Sequence, residues 1–297
     1  MARVSSLFDV AYDVMLSRPA ARLPSGEGLV LEPKWDGYRW VFAYDPERGR
    51  VSAFTRHGLP HAGRFPYLED RIRERFPSGA VIDGELLALA PDGRGGVGQD
   101  FHRLASIFAG RPPHQPADCG LYFVAFDLLE LAGEDLRAEP WHVRRAHLEE
   151  ALTERAGNVS LTPAVPCELA AHERHLAAGF EGSVVKRREG HYLGGRRSWV
   201  KVKARHELDV EVLALSHDRS GTARILCASD GEELGWAEVW DPTLRAAARR
   251  GDLRRGARAR IRYPNRTVQG RLREARVTTL LAAARSAPKT SLRPVAV

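Results

Sequence analysis

The stretch Leu31–Trp40 reads LEPKWDGYRW. It sets a lysine beside Trp-Asp-Gly in a chain that takes nearly all its positive charge from arginine. Of 45 basic residues, only five are lysine: Lys34, Lys186, Lys201, Lys203 and Lys289. Coding bias explains that scarcity but not the placement. A nucleophilic amine must be able to lose its proton, which lysine can do near other cations or away from water, and arginine cannot. A lysine in this chain therefore marks a place where amine chemistry is possible.

Three of the other lysines fall in two strand-like runs, Lys186 in EGSVVK and Lys201 and Lys203 in WVKVK, joined by the Gly-rich EGHYLGGRR. Side chains alternate along a strand, so Lys201 and Lys203 share one face, with Val200 and Val202 on the other. Gly182, Val184 and Lys186 line up in the same way. Two such strands side by side would offer three cations to one triphosphate. Taken singly, each lysine could be an ordinary surface residue at a sheet edge; the joint pattern argues against that.

Around these runs, VIDGELLALA (81–90) and LYFVAFDLLEL (121–131) read as strands, with helical spacing in QDFHRLASIFAG between them. WHVRRAHLEEALTERA, between Pro140 and Ala156, reads as a helix with Leu148 and Leu152 on one face, and ELAAHERHLAAGF (168–180) as another. Helices and mostly antiparallel strands alternate without regular βαβ units, which predicts an α+β fold. The composition shifts after Lys203. HELDVEVLALS, TARILCAS and LGWAEVW are strand-like. DPTLRAAARRGD is a short helix with Asp241 as N-cap, and RARIRYPNRT and RLREARVTTLLAA follow. Three strands, a helix and about two more strands match the element order of a small OB-type barrel. The expected domains are 1–205 and 206–297.

The 297 residues can bury a sizeable core, and 43% hydrophobic with 28% charged residues is a globular composition. No apolar run reaches membrane-spanning length. The first twenty residues carry acids and lack an apolar core, so no signal peptide is expected. Cys119, Cys167 and Cys227 form no C-x-x-C pair, which fits small buried side chains in a reducing cytosol. The net charge is +7. Twelve arginines but only two acids, Asp252 and Glu274, lie between Arg245 and Arg276. That density favours a phosphate-facing surface over a solvated face, with Arg254, Arg255 and Arg258 as candidate contacts to a polyanion. Gly93, Gly95 and Gly98 satisfy G-x-G-x-x-G and Asp118 lies twenty residues on, but the glycines follow a PDG turn, and a loop is expected there. HERH (172–175) spaces its histidines three apart instead of the four of H-E-x-x-H, and is read as a solvated helix face.

KWDGYR, TRHG (55–58), IDGEL (82–86), FVAFDLLEL (123–131), EGSVVKR (181–187) and WVKVK (199–203) resemble, in order, the motifs of the ATP-dependent DNA ligases within the covalent nucleotidyltransferase superfamily. The resemblance spans about 30–205 and more weakly the rest. It implies an ATP-grasp-like nucleotidyltransferase domain of antiparallel sheets with helices, followed by a C-terminal OB-fold β-barrel. It also implies roles. Lys34 would attack the α-phosphorus of ATP and hold AMP, on a turn shaped by Asp36 and Gly37. Glu32 would accept from the adenine amino group, and Phe126 would stack on the base or serve as a core aromatic. Arg39 and Arg56 would bind the phosphate of AMP or of the nick. Glu85 would contact the ribose or a metal, and Glu181 would help hold Mg²⁺ (or Mn²⁺). Lys186, Lys201 and Lys203 would neutralise phosphate charge. The substrate would be nicked duplex DNA, in repair, sealed by a cytoplasmic, nucleoid-associated monomer. Some compact bacterial relatives of this kind work beside a primase-polymerase.

The rivals are an RNA ligase or an mRNA-capping guanylyltransferase on the same fold, and a catalytically silent nucleic-acid-binding protein. An NAD-dependent ligase is disfavoured, because a nicotinamide-binding domain and a four-Cys zinc site are both missing. The tail GRLREARVTTLLAAARSAPKT lacks a clear counterpart of the basic motif that ends such barrels, and Arg285 and Lys289 are the plausible substitutes.

Overall fold

The computed structural model describes residues 13–91, 97–110, 120–152, 157–217, 222–267 and 270–281. The chain divides into two compact units, 1–204 and 205–297. Gly93, Gly95, Asp118, Cys119, Arg285 and Lys289 lie outside the described residues.

The first unit contains two sheets. The larger places Arg50–Thr55, Tyr38–Asp45, Ala80–Pro91, Leu121–Leu131 and Glu134–Asp135 side by side, with Val97–Gln99 and Val159–Leu161 attached. The smaller has the order Ser17–Pro19, Trp199–Lys203, Gly182–Arg187, Leu29–Pro33, Val165–Pro166. Pairing is antiparallel except at Ser17–Pro19 and Val159–Leu161. The sequence Trp40-Val-Phe-Ala43 explains the layering. Trp40 and Phe42 pack with Leu68, Ile72, Leu104 and Leu148, which come from the helices Pro66–Arg75, Phe101–Ala109 and Trp141–Ala151. Val41 and Ala43 point the other way, into a cluster with Phe126, Leu129, Tyr192 and Trp199. A strand buried on both faces reads as continuous apolar sequence, which hides its period of two. A third cluster, Leu31, Val185, Val200 and Val202 with Ala171 of the helix Leu169–Ala177, lies behind the smaller sheet.

The helix Pro66–Arg75 is not apparent in the sequence. Only Leu68 and Ile72, one turn apart, bury an apolar face, and the rest of PYLEDRIRER is mostly charged. HERH is corrected. His172 is buried and His175 half-buried, and both Nδ1 atoms lie 2.8 Å from the Ser183 hydroxyl. A spacing of three puts the two rings on one helix face, and that face meets the sheet instead of water.

The second unit is a closed five-stranded barrel. Its order is His206–His217, Ala223–Ser229, Glu232–Glu238, Arg276–Leu281, Arg258–Tyr263. Val210, Val212, Ile225, Cys227, Ala237, Ala259, Ile261 and Val277 fill it, and Leu244 and Ala248 of the helix Pro242–Arg249 pack against that core. Asp241 caps the helix, accepting from Thr243 N at 2.8 Å and Leu244 N at 3.1 Å.

Candidate active site

Lys34 follows the strand Leu29–Pro33 on a turn pinned at successive residues. Lys34 N donates to Gly182 O at 2.9 Å, and Asp36 N donates to Gln99 Oε1 at 2.7 Å. The Trp35 indole donates to Thr162 Oγ1 at 2.9 Å, and its ring meets Phe180 edge-on at 4.9 Å. A Cβ on Gly37 would collide with the Leu86 carbonyl oxygen, so this position accepts only glycine.

The register of the smaller sheet assembles the charged face. Val184 stands opposite Glu32 on one side and Lys201 on the other, and Gly182 stands opposite Lys203. Glu32, Lys186, Lys201 and Lys203 therefore share a face, while Leu31, Val185, Val200 and Val202 form the apolar back. Glu181, buried just before the strand, receives both the Lys34 and the Lys203 ammonium. Burial alone would raise the Glu181 carboxyl; the attraction of Lys34 and Lys203 outweighs it and holds the pKa below the ordinary value. Burial, with Lys34, Lys203 and Arg56 nearby, depresses the Lys201 ammonium.

Lys186, expected to neutralise phosphate charge with Lys201 and Lys203, has acidic partners of its own. It is 2% exposed. It pairs with Glu32 at 3.0 Å, donates to Phe126 O at 2.7 Å and lies 4.0 Å from Asp127. A buried cation requires such neutralisation, so the Lys186 charge is met within the protein. Asp127 in turn takes a two-pronged bond from Arg144, at 2.6 and 3.1 Å. Glu32 Oε2 is held by Lys186, while its Oε1 is buried without a hydrogen-bond partner among the described residues. Burial raises the Glu32 carboxyl despite the pull of Lys186.

Arg39, on the larger sheet, is likewise not a free cation. Its guanidinium grips Asp83 through Nε, at 2.5 Å, and through a second nitrogen, and it touches Met15 O at 3.2 Å. Tyr192 OH donates to the same Asp83 at 2.7 Å. The guanidinium carbon sits 4.7 Å from the Phe126 ring centre and 5.1 Å from that of Trp199. Phe126 belongs to a core cluster and also lines the cavity. Glu85 stands across from Arg39. Burial is the main cause that lifts its carboxyl to about 7, against the opposing pull of Lys34 and Arg39. Glu32, Lys34, Arg39, Arg56, Glu85, Phe126, Lys186 and Lys201 converge on one cavity of about 620 Å³, the size of a nucleotide-type site. Lys203, on the same sheet face, pairs with Glu181.

Sequence reasoning missed Trp35, Thr162, Gln99, Asp83, Asp127, Arg144 and Tyr192. Asp83 lies within IDGEL and Asp127 within FVAFDLLEL, where an acid in an apolar strand was the available signal. Nothing local marks Gln99 or Thr162. In the barrel, Arg254 and Arg255 are exposed in a turn. Arg258 stands opposite Glu211, and its neighbours Arg260 and Arg262 are paired with Asp209, at 2.6 Å, and Glu207, at 2.7 Å. The run of arginines is thus partly neutralised by acids about fifty residues earlier, which a local count could not include.

Among the described residues no three metal-ligating side chains cluster. Mg²⁺ commonly binds one or two carboxylates plus phosphate oxygens; Glu85 lines the cavity, and Glu181 is tied to it through Lys34, so these are the carboxylates that could hold such an ion.

A family model described as "ATP dependent DNA ligase domain" matches residues 15–203. DNA ligase C1 of Mycolicibacterium smegmatis is 32% identical over 211 residues, covering 68% of this chain and 59% of that protein. A probable DNA ligase of Streptomyces griseus is 36% identical over 222 residues, covering 68% and 41%. The chain thus spans less than two thirds of the length of these relatives. Mycobacterial DNA ligase D complexed with ATP and MES superposes with a TM-score of 0.57 at 24% identity, covering 91% of this chain and 95% of the other. A Lig E DNA ligase superposes with a TM-score of 0.63 at 19% identity, covering 90% and 98%. These two share the fold. With the model match spanning the lysine turn, both sheets and the strand that ends at Lys203, the chain belongs to the ATP-dependent DNA ligase domain family.

Proposed function

We propose that the protein is an ATP-dependent DNA ligase that seals nicks in duplex DNA through a Lys34–AMP intermediate, acting in DNA repair. The single observation that carries this is the placement of Lys34, on a rigid turn, at a cavity that also presents Glu32, Glu85, Arg56 and Lys201. The Lys34 nitrogen gives up a proton and bonds to the α-phosphorus, and the bond from that phosphorus to the bridging oxygen breaks, releasing pyrophosphate. AMP then passes to a 5′-phosphate, and the 3′-hydroxyl displaces it.

Phosphoryl transfer depends mainly on positioning and on meeting negative charge. Lys201 and Arg56 are the cavity cations assigned to that charge. Lys203 holds Glu181, and Arg39, fixed by Asp83, backs the Phe126 ring that would stack on the base. Glu32 Oε1, a buried acceptor with an unused lone pair, suits the adenine amino group and would repel the guanine carbonyl. This favours ATP over the GTP of a capping enzyme. Mg²⁺ at Glu181 and Glu85 would supply charge neutralisation of the phosphates. Residues 1–205 would form the nucleotidyltransferase domain. Residues 206–297, whose described part holds the closed barrel with a helix after its third strand, would be an OB-fold that grips DNA.

Incubation with α-labelled ATP and Mg²⁺, followed by a denaturing gel, tests the reading. A covalent adduct should form from ATP and hardly at all from GTP. Lys34→Ala and Lys34→Arg should both abolish it. An adduct of normal yield in either variant removes Lys34 from the role, and equal labelling by GTP removes Glu32 from base selection.

A further inference from the structure

The outer face of the barrel departs from the usual polar surface. Within the strands Ala223–Ser229 and Glu232–Glu238, Ala223, Ile225, Leu234 and Ala237 point inward. The alternation turns Arg224, Leu226, Trp236 and Glu238 outward. Cross-strand register sets Leu226 beside Trp236 and places Glu238 between Arg224 and Arg276. Trp240, just beyond the strand, donates its indole N–H to Glu238 Oε2 at 2.6 Å and so lies on the same face.

Trp236 is 37% exposed and Trp240 51%. Large aromatic surface left in water on neighbouring positions marks a contact site. Each ring is stacked by a guanidinium. Arg224 lies 4.6 Å from the Trp236 ring centre, and Arg276 lies 5.0 Å from that of Trp240. A third, Arg245, is anchored on the Trp240 carbonyl at 2.7 Å. Arg224 Nε is buried and has no hydrogen-bond partner among the described residues. The one carboxylate in the row, Glu238, already accepts from Trp240.

The face therefore combines two π surfaces, one on the strand Glu232–Glu238 and one just beyond its end, with three cations against one engaged acid. That chemistry matches a ligand carrying flat aromatic rings on a polyanionic chain. Stacking on an aromatic ring needs a base out of its pair, because a paired base offers a protein only its edges in the grooves. We infer that the barrel face of Trp236, Trp240, Arg224 and Arg276 binds unpaired nucleotides of a single-stranded nucleic acid, with bases on the two indoles and phosphates on the guanidinium groups. This site goes beyond nick sealing, which needs only duplex, and it does not depend on Lys34 chemistry.

The test uses the full chain and a fluorescein-labelled oligo-dT of about 15 nucleotides, near the upper site size of one such barrel. Anisotropy should show binding, with quenching of tryptophan emission. Trp236→Ala with Trp240→Ala should weaken oligo-dT binding at least about tenfold, as expected when two base stacks are removed. Trp236→Phe with Trp240→Phe keeps a π face and should restore most of it. Affinity for a nicked duplex without overhangs should change less than about threefold. Unchanged circular dichroism melts confirm that the exposed substitutions leave the barrel folded. The inference is overturned if wild-type protein does not bind oligo-dT, or if the alanine pair binds it within threefold of wild type. It is also overturned if the phenylalanine pair loses as much as the alanine pair, or if nicked duplex loses affinity equally. Because ATP-dependent labelling of Lys34 is measured separately, failure here leaves the ligase reading intact, and failure of labelling leaves this site intact.

Discussion

Glu85→Gln should stabilise the protein at alkaline pH while removing a group assigned to the ribose or the metal. The Glu85 carboxyl is lifted from 4.5 to about 7, chiefly by burial, with Asp83 adding and Lys34 and Arg39 opposing. Its folded pKa is raised, so the native state holds a proton that the unfolded chain releases. The contribution is fully present below the unfolded value, and stability is lost as pH rises toward 7. The rise from 4.5 to about 7, at about 1.4 kcal/mol for each tenfold change in proton affinity, gives a cost of about 3 kcal/mol at pH 8. Glutamine mimics the protonated acid, does not titrate, and can still accept from the Gly37 N–H. The variant should exceed wild type by about 3 kcal/mol at pH 8 and by under about 1 kcal/mol at pH 5. For a unit of roughly 200 residues, that is about 6–12 °C in Tm at pH 8. Thermal melts of both proteins at the two pH values measure it, without nucleotide or metal. A Tm difference that is equal at pH 5 and pH 8 would falsify the assignment of this strain to Glu85. A parallel loss of adduct formation would mark Glu85 as a site kept for function at the expense of stability.

Other outcomes follow from the same geometry. Arg144→Met leaves buried Asp127 with only Lys186, at 4.0 Å, among its described charged partners, and should cost about 3–5 kcal/mol in urea unfolding. A loss under about 1 kcal/mol would mean that Lys186 neutralises Asp127 alone. Gly37→Ala has no room beside the Leu86 carbonyl, so the lysine turn must shift and Lys34 labelling should fall at least tenfold in the gel assay. Arg254→Ala with Arg255→Ala should flatten the salt dependence of nicked-DNA binding by about 0.9 for each phosphate no longer neutralised. Arg260→Ala with Arg262→Ala should flatten it less, because Asp209 and Glu207 already meet those charges. Equal slopes for the two pairs would show that the ion pairs open on DNA.

The sequence by itself determined which residues could do the chemistry. Lysine among arginines singled out Lys34. Alternation in EGSVVK and WVKVK fixed which side chains share a face, because the period of a strand is a local property. The order of three strands, a helix and two more strands was legible for the same reason, as was Asp241, whose capping bonds reach only two and three residues ahead. Tertiary structure decided what those groups face. Lys186 and Lys201 share a sheet face and line one cavity, yet Lys186 is buried against Glu32 and Asp127 while Lys201 is only half-buried. Arg39 lines the same cavity, but its guanidinium is held by Asp83, forty-four residues away, a partner that no local pattern shows. The arginines of Arg258–Tyr263 looked unopposed until the strand His206–His217 laid Glu207 and Asp209 beside them. In each case the deciding partner is distant in the chain. Ion pairing and desolvation depend on separation in space, and only the folded chain sets that.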